Sequence, residues 1–158
     1  MRSKLLPSPA YEVAEVELVY KTNVNFNKRP TICGSKSAYQ IFLREWDKNK
    51  IELQEQFKVM LLSRSKRVLG IYEASTGGMH ATITETSLIF ATAIKGRASS
   101  IILAHNHPSG ETKPSESDIL TTHNLRKAGH LLSITVLDHI IVTKYGYFSF
   151  ADNNCLGF

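Results

Sequence analysis

A chain of 158 residues, 42% hydrophobic and 21% charged, falls in the range of one soluble globular domain and can bury a core without a disulfide framework. That balance excludes collagen-like, disordered and membrane-embedded classes. Lys and Arg number 19 against 14 Asp and Glu, for a net charge of +5, which suits weak attraction to nucleic acid. The cations form no block beyond Lys48 with Lys50 and Arg64, Lys66 and Arg67, so a solvated surface is favoured over a phosphate-binding face.

The two cysteines, Cys33 and Cys155, are too far apart for a CxxC redox or zinc-ribbon pattern and read as free thiols. The opening MRSKLLPSPAYEVAE lacks the apolar run of a signal peptide, and no stretch reaches the length of a membrane span. A cytoplasmic protein is expected.

Residues 1–34 are read as an N-terminal arm with one strand: Pro7, Ser8 and Pro9 give an irregular start, then Val16, Leu18 and Tyr20 alternate with polar positions from Ala14 to Asn25. Residues 35–158 are read as the globular domain. Ser35 is expected to cap a helix through Tyr39, Phe42, Leu43 and Trp46, which share one face. EQFKVMLLS and KRVLGIYEAS then predict two paired strands joined by a short polar turn, closed by Gly77 and Gly78.

Thr84 offers a cap for a second helix, ETSLIFATAIK, with Gly96 as a left-handed terminator. SSIILA has the unbroken aliphatic run of a strand buried on both faces. A third helix is expected from Ser115 to Ala128, stopping at Gly129, and ITVLDHIIVT and GYFSF supply the closing strands. Strands and helices interleave without a strict βαβ repeat, so the expected architecture is a mixed sheet flanked by helices.

The segment AHNHPSGETKPSESD, residues 104–118, carries the chemistry. Residues i and i+2 of a strand share a face, so His105 and His107 can converge while Asn106 points away. Pro108 and Gly110 let the chain turn, and Asp118, in the first turn of the next helix, can be carried back over the strand end. Two imidazoles and a carboxylate, with a fourth position left for water, is the ligand count of catalytic zinc. The same ligand types admit iron, manganese, cobalt or nickel.

The pattern HxHPxGxxxPSxxD, read as His105, His107, Pro108, Gly110, Pro114, Ser115 and Asp118, resembles the JAMM signature of RadC-like members of the JAB/MPN superfamily. The similarity runs on through EQFKVMLLSRSKRVLGIYEASTGG and LDHIIVTKYGYFSFADNNCLGF, so it covers roughly residues 35–158. It implies a mixed, mainly antiparallel sheet packed by helices, related to the cytidine deaminase fold. It also implies a zinc-dependent metallopeptidase or isopeptidase in which an activated water attacks an amide. The position matching the family's upstream glutamate is Glu55, the implied general base; Glu52, three residues away, is an alternative. Ser115 matches the motif serine, implied to assist the oxyanion, although Ser115 with Asp118 also has the spacing of a helix-capping pair.

His80, His123, His130 and His139 lack matching partners and are read as structural; His139, in LDHIIV, has the alternative of supporting a metal ligand from behind. Asn106 is read as a local hydrogen-bonder. The RadC resemblance also raises a second function, a DNA-associated module, although the segment before residue 35 is expected to be too short for the helix-hairpin-helix region that precedes the domain in full-length RadC relatives. A metal-free scaffold is disfavoured because every ligand position is filled. A base deaminase is disfavoured because H-x-E and PCxxC are missing, and an HNH nuclease because its residues spread over a longer unit. The substrate and the oligomeric state are left open, with a peptide or protein as the expected substrate.

Overall fold

A computed structural model describes residues 24–76 and 85–156. Most of the expected N-terminal arm and its strand, the Gly77–Gly78 end of the hairpin, the Thr84 cap and His80 lie outside the described residues. Val24 and Asn25, the end of that expected strand, lead instead into a short 3-10 turn at Phe26–Lys28, which the Asn25 side chain caps.

A five-stranded sheet organises the rest, in the order β2-β1-β3-β4-β5. The strands are β1 (Gln56–Leu62), β2 (Val68–Thr76), β3 (Ser100–Asn106), β4 (Thr135–Val142) and β5 (Tyr147–Ser149), interleaved with helices α1 (Ser35–Glu45), α2 (Thr86–Lys95) and α3 (Glu116–Leu131). Every pairing is antiparallel except β3 with β4, which run parallel on either side of the α3 crossover. The sheet is therefore mixed and mainly antiparallel, as expected. Among the described residues, no helix is long and apolar enough to cross a membrane.

Helices on both faces give the molecule two cores. Ile101 and Leu103 of β3 pack with Phe57, Val59 and Leu61 of β1 against Ile89 and Phe90 of α2 and Leu125 of α3. Ile102 and Ala104 face the other way, joining Met60, Leu62, Ile140 and Val142 against Ala38 and Phe42 of α1. This two-sided burial is why β3 carries an aliphatic run without alternation: every residue from Ser100 to Asn106 is buried.

Three helix ends differ from expectation. Gly34, rather than Ser35, caps α1; Ser37 Oγ accepts from Cys33 and Gly34 amides at 3.0 and 3.1 Å, which leaves the Ser35 hydroxyl to bond Asp152. Gly96 ends α2 in the right-handed region and Arg97 takes the left-handed position, φ 54°. The need for glycine at 96 is one of space, since a Cβ there would meet Leu61 Cδ1 at 2.9 Å. Finally, α3 does not stop at Gly129 but runs on to Leu131. Gly129 is buried inside the helix, where a Cβ would collide with the Ile134 carbonyl and crowd the Phe90 ring. Sequence reading took a close-packing glycine for a terminator.

Candidate metal centre

β3 ends at Asn106, and the next residues turn back on themselves: the Gly110 amide donates to the His107 carbonyl at 2.9 Å, with Gly110 at φ 81°, a conformation that favours glycine. His105 and His107 leave the strand tip on the face covered by α3. Asp118, Thr122, Leu125 and Gly129 recur at the three-to-four residue spacing of one helical stripe; Thr122, Leu125 and Gly129 are buried, and Asp118 is the member of that stripe nearest the helix start.

Ser115 anchors the start of α3 through reciprocal bonds. Its Oγ accepts from the Asp118 amide at 3.2 Å and donates to Asp118 Oδ2 at 2.7 Å, and its amide donates to the same oxygen at 2.7 Å. The capping pair therefore does two things: it closes the helix N-terminus, and it locks the Asp118 carboxylate with Oδ1 facing His105.

These three side chains meet. His105 Nε2 lies 2.9 Å from His107 Nε2 and 3.2 Å from Asp118 Oδ1, and His107 Nε2 lies 3.5 Å from Asp118 Oδ2. Bonds of about 2.0–2.1 Å at tetrahedral angles hold neighbouring ligand atoms about 3.4 Å apart, so the observed separations have the size of an ion's coordination shell. Chemistry supports the same fit. His107 Nδ1 faces the Glu111 carbonyl at 2.8 Å, which can only accept, so Nδ1 carries a proton and Nε2, turned toward His105 and Asp118, is the atom able to ligate when the ring is neutral. His105, His107 and Asp118 form a group that can hold a metal ion.

Electrostatics within the group follow from this crowding. Burial pushes the Asp118 carboxyl up, but hydrogen bonds with His105, His107 and Ser115 and the charge of His105 outweigh it, holding the group far below the usual carboxylate range. His107 is pushed up, chiefly by its hydrogen bond with Asp118 and against its partial burial; the negative charge of Glu55 adds to the effect.

Glu55 sits immediately before β1. The antiparallel register places Phe57 opposite His105; continued two residues past that last pair it would set Glu55 opposite His107, and the His107 ring feels the Glu55 charge. Glu52 points elsewhere: its carboxylate pairs with Lys144 at 3.3 Å, beyond β4. Asn106, on the opposite face, is fully buried. It accepts from the Gln56 amide at 2.8 Å and donates to the carbonyls of Ile51 and Gln54 at 2.8 and 2.9 Å, which ties the Glu55 segment to the strand tip. It is a hydrogen-bonder, but not the local one expected from sequence: its partners lie about fifty residues earlier in the chain.

Two residues behind His105 complete the centre. His139 Nε2 lies 2.8 Å from His105 Nδ1, and His139 Nδ1 lies 2.5 Å from Thr122 Oγ1. The His139 ring is fully buried, stacked on Phe150 with centroids 4.8 Å apart and tilted against Phe57 at 5.5 Å. Burial and the neighbouring His105 charge hold it well below the ordinary histidine range. Of the four histidines read as structural, His139 thus lies against the site, taking the alternative offered for it. Thr122 was not singled out; the signal was a hydroxyl four residues after Asp118 on an otherwise apolar helix stripe.

A mixed sheet between helices, with a strand-end His-x-His and a helix-borne Asp converging, defines a JAB-type domain. Residues 32–155 match the family described as RadC-like JAB domain, and the chain belongs to that family. Relatives named UPF0758 protein include one from Syntrophotalea carbinolica, 32% identical over 147 residues covering 92% of this chain and 65% of the relative. Another from Porphyromonas gingivalis is 40% identical over 133 residues, covering 82% and 56%. A third, from Flavobacterium johnsoniae, is 40% identical over 98 residues, covering 62% and 43%. The chain therefore spans only 43% to 65% of the length of these three relatives.

Proposed function

We propose that this domain is a zinc-dependent amide hydrolase of the metallopeptidase or isopeptidase type, acting on a peptide or protein substrate. The supporting observation is the convergence of the His105, His107 and Asp118 ligand atoms to separations of 2.9–3.5 Å, beside a carboxylate at Glu55. His105 and His107 would hold zinc through Nε2 and Asp118 through Oδ1, with Oδ2 kept by Ser115. Zinc at such a site acts as a Lewis acid and makes water nucleophilic near neutral pH.

Glu55, across the strand pair from His107, takes the proton of the attacking water and returns it to the leaving amine. Ser115 sits one bond from the Asp118 carboxylate, where its hydroxyl can turn to a developing oxyanion at the loss of one hydrogen bond. Asn106 holds the Glu55 segment in register with the histidines.

Metal analysis of the purified chain tests this first. About one equivalent of zinc is expected, and His107→Ala loses it while keeping cooperative unfolding, because that ring is only half-buried. A wild-type chain that is metal-free and cannot be reconstituted rejects the proposal. With zinc loaded, a panel of peptide and isopeptide substrates run beside Glu55→Gln is expected to show turnover reduced about 10²–10⁴-fold in the variant; equal turnover removes Glu55 as the base.

A further inference from the structure

His105 touches the proposed metal position through one ring nitrogen and the protein interior through the other, and the bonds behind it have a determinable direction. Thr122 Oγ1 lies 2.6 Å from the Asp118 backbone carbonyl, closer than two acceptors approach, so the single hydroxyl proton points at that carbonyl. With its proton spent, Thr122 can only accept from His139, which places a proton on His139 Nδ1. The His139 ring has no exposed surface and is packed between Phe57 and Phe150, surroundings that exclude an imidazolium. His139 Nε2 is therefore an acceptor, and the proton in its 2.8 Å bond to His105 belongs to His105 Nδ1.

We infer that Thr122 and His139 form a directional hydrogen-bond relay that sets the tautomer of His105, forcing its Nε2 lone pair toward the metal position. This rests on the metal-centre reading above and names how the chain prepares one ligand for it. The relay begins and ends at the centre: it starts from the backbone carbonyl of Asp118 and finishes on His105, so one helix turn fixes both the carboxylate ligand and the state of an imidazole ligand. His107, by contrast, is set by a loop carbonyl alone. Thr122 and His139 are positioning residues, acting through His105.

Removing the acceptor reverses the relay. In Thr122→Val the Nδ1 proton of His139 has no partner in a dry site. Moving it to Nε2 makes His139 the donor and His105 Nδ1 the acceptor, and the His105 proton moves to Nε2, where it blocks the ligating lone pair. Thr122→Ser keeps a hydroxyl and serves as the conservative rescue.

The test uses the full chain in two measurements. Zinc affinity by chelator competition is expected to fall about 10–100-fold in Thr122→Val and to stay within about threefold of wild type in Thr122→Ser, with thermal unfolding confirming that both variants fold. Nitrogen-15 NMR of the imidazoles, with and without zinc, is expected to show protonated Nδ1 on both His105 and His139 in wild type and Thr122→Ser, and transfer of the His139 proton to Nε2 in metal-free Thr122→Val. Unchanged zinc affinity in Thr122→Val, or a wild-type His105 protonated on Nε2 alone, overturns the relay. If wild type takes up no zinc, the metal-centre reading fails, while the NMR spectra still decide the direction of the relay.

Discussion

The two faces of the sheet end differently at the tip of β3. On the α1 side Asn106 is as deeply buried as His105 and His139 on the other, yet all three of its hydrogen bonds run to backbone groups of one adjoining segment and every proton has an acceptor. On the α3 side two imidazole Nε2 atoms face each other at 2.9 Å beside a carboxylate, an arrangement that a shared cation can satisfy. Burial alone does not separate the two; the kind of partner does, backbone groups on one side and converging ligand-type side chains on the other.

The largest expected effect that tests this contrast comes from the packed side. Phe42 is fully buried in the α1 layer, and Phe42→Ala is expected to lower unfolding free energy by about 3–5 kcal/mol in denaturant titration, with zinc stoichiometry unchanged in the folded protein. Loss of zinc at full stability would mean that the two faces are not independent. A smaller and more local break is Asn106→Ala, which leaves the Gln56 amide and two carbonyls without partners and is expected to cost about 3 kcal/mol. Hydrogen exchange at Gln56 should quicken and turnover dependent on Glu55 should fall, while zinc is retained; an unprotected Gln56 amide in wild type would contradict the clamp.

Asp138, also on the α1 face, sharpens the comparison with the smallest effect. Its oxygens accept from the His139 and Ala151 amides at 2.8 and 2.9 Å and from Ser149 Oγ at 2.7 Å, but burial outweighs these bonds and pushes the carboxyl above its ordinary value of 3.8. The folded state then holds this proton more tightly than the unfolded chain, so the group's contribution to stability is greatest below pH 3.8 and declines as pH rises through the raised value. The stability gap between wild type and Asp138→Asn, measured by urea unfolding across that range, is expected to narrow with rising pH. A gap that widens would show that the hydrogen bonds outweigh burial.

Much of the centre was legible in the sequence because it depends on local periodicity. Alternation along β3 puts His105 and His107 on one face and Asn106 on the other, and Ser115 with Asp118 three residues later predicts the capping pair that holds the carboxylate. The hairpin of β1 and β2 and the doubly buried β3 follow from the same kind of pattern. Glycine was harder, because close packing at Gly96 and Gly129 leaves the same letter in the sequence as a helix terminator does.

What sequence could not decide depends on register between distant segments. Counting by twos along β4 from Val136, which faces α2 and α3, would turn His139 toward α1. A register shift between Ile101 and Ile102 skips Leu137 and pairs His139 with Leu103, which brings the ring round to His105. The relative placement of Glu52 and Glu55 had the same character, since it depends on the β1–β3 pairing and the Lys144 ion pair. By itself the sequence determined which histidines share a strand face and how the helix after them is capped, because those relations span a few bonds. The tertiary structure alone decided what stands behind His105 and across from His107, because those neighbours are set by strand pairing and a bulge between chain segments separated by dozens of residues.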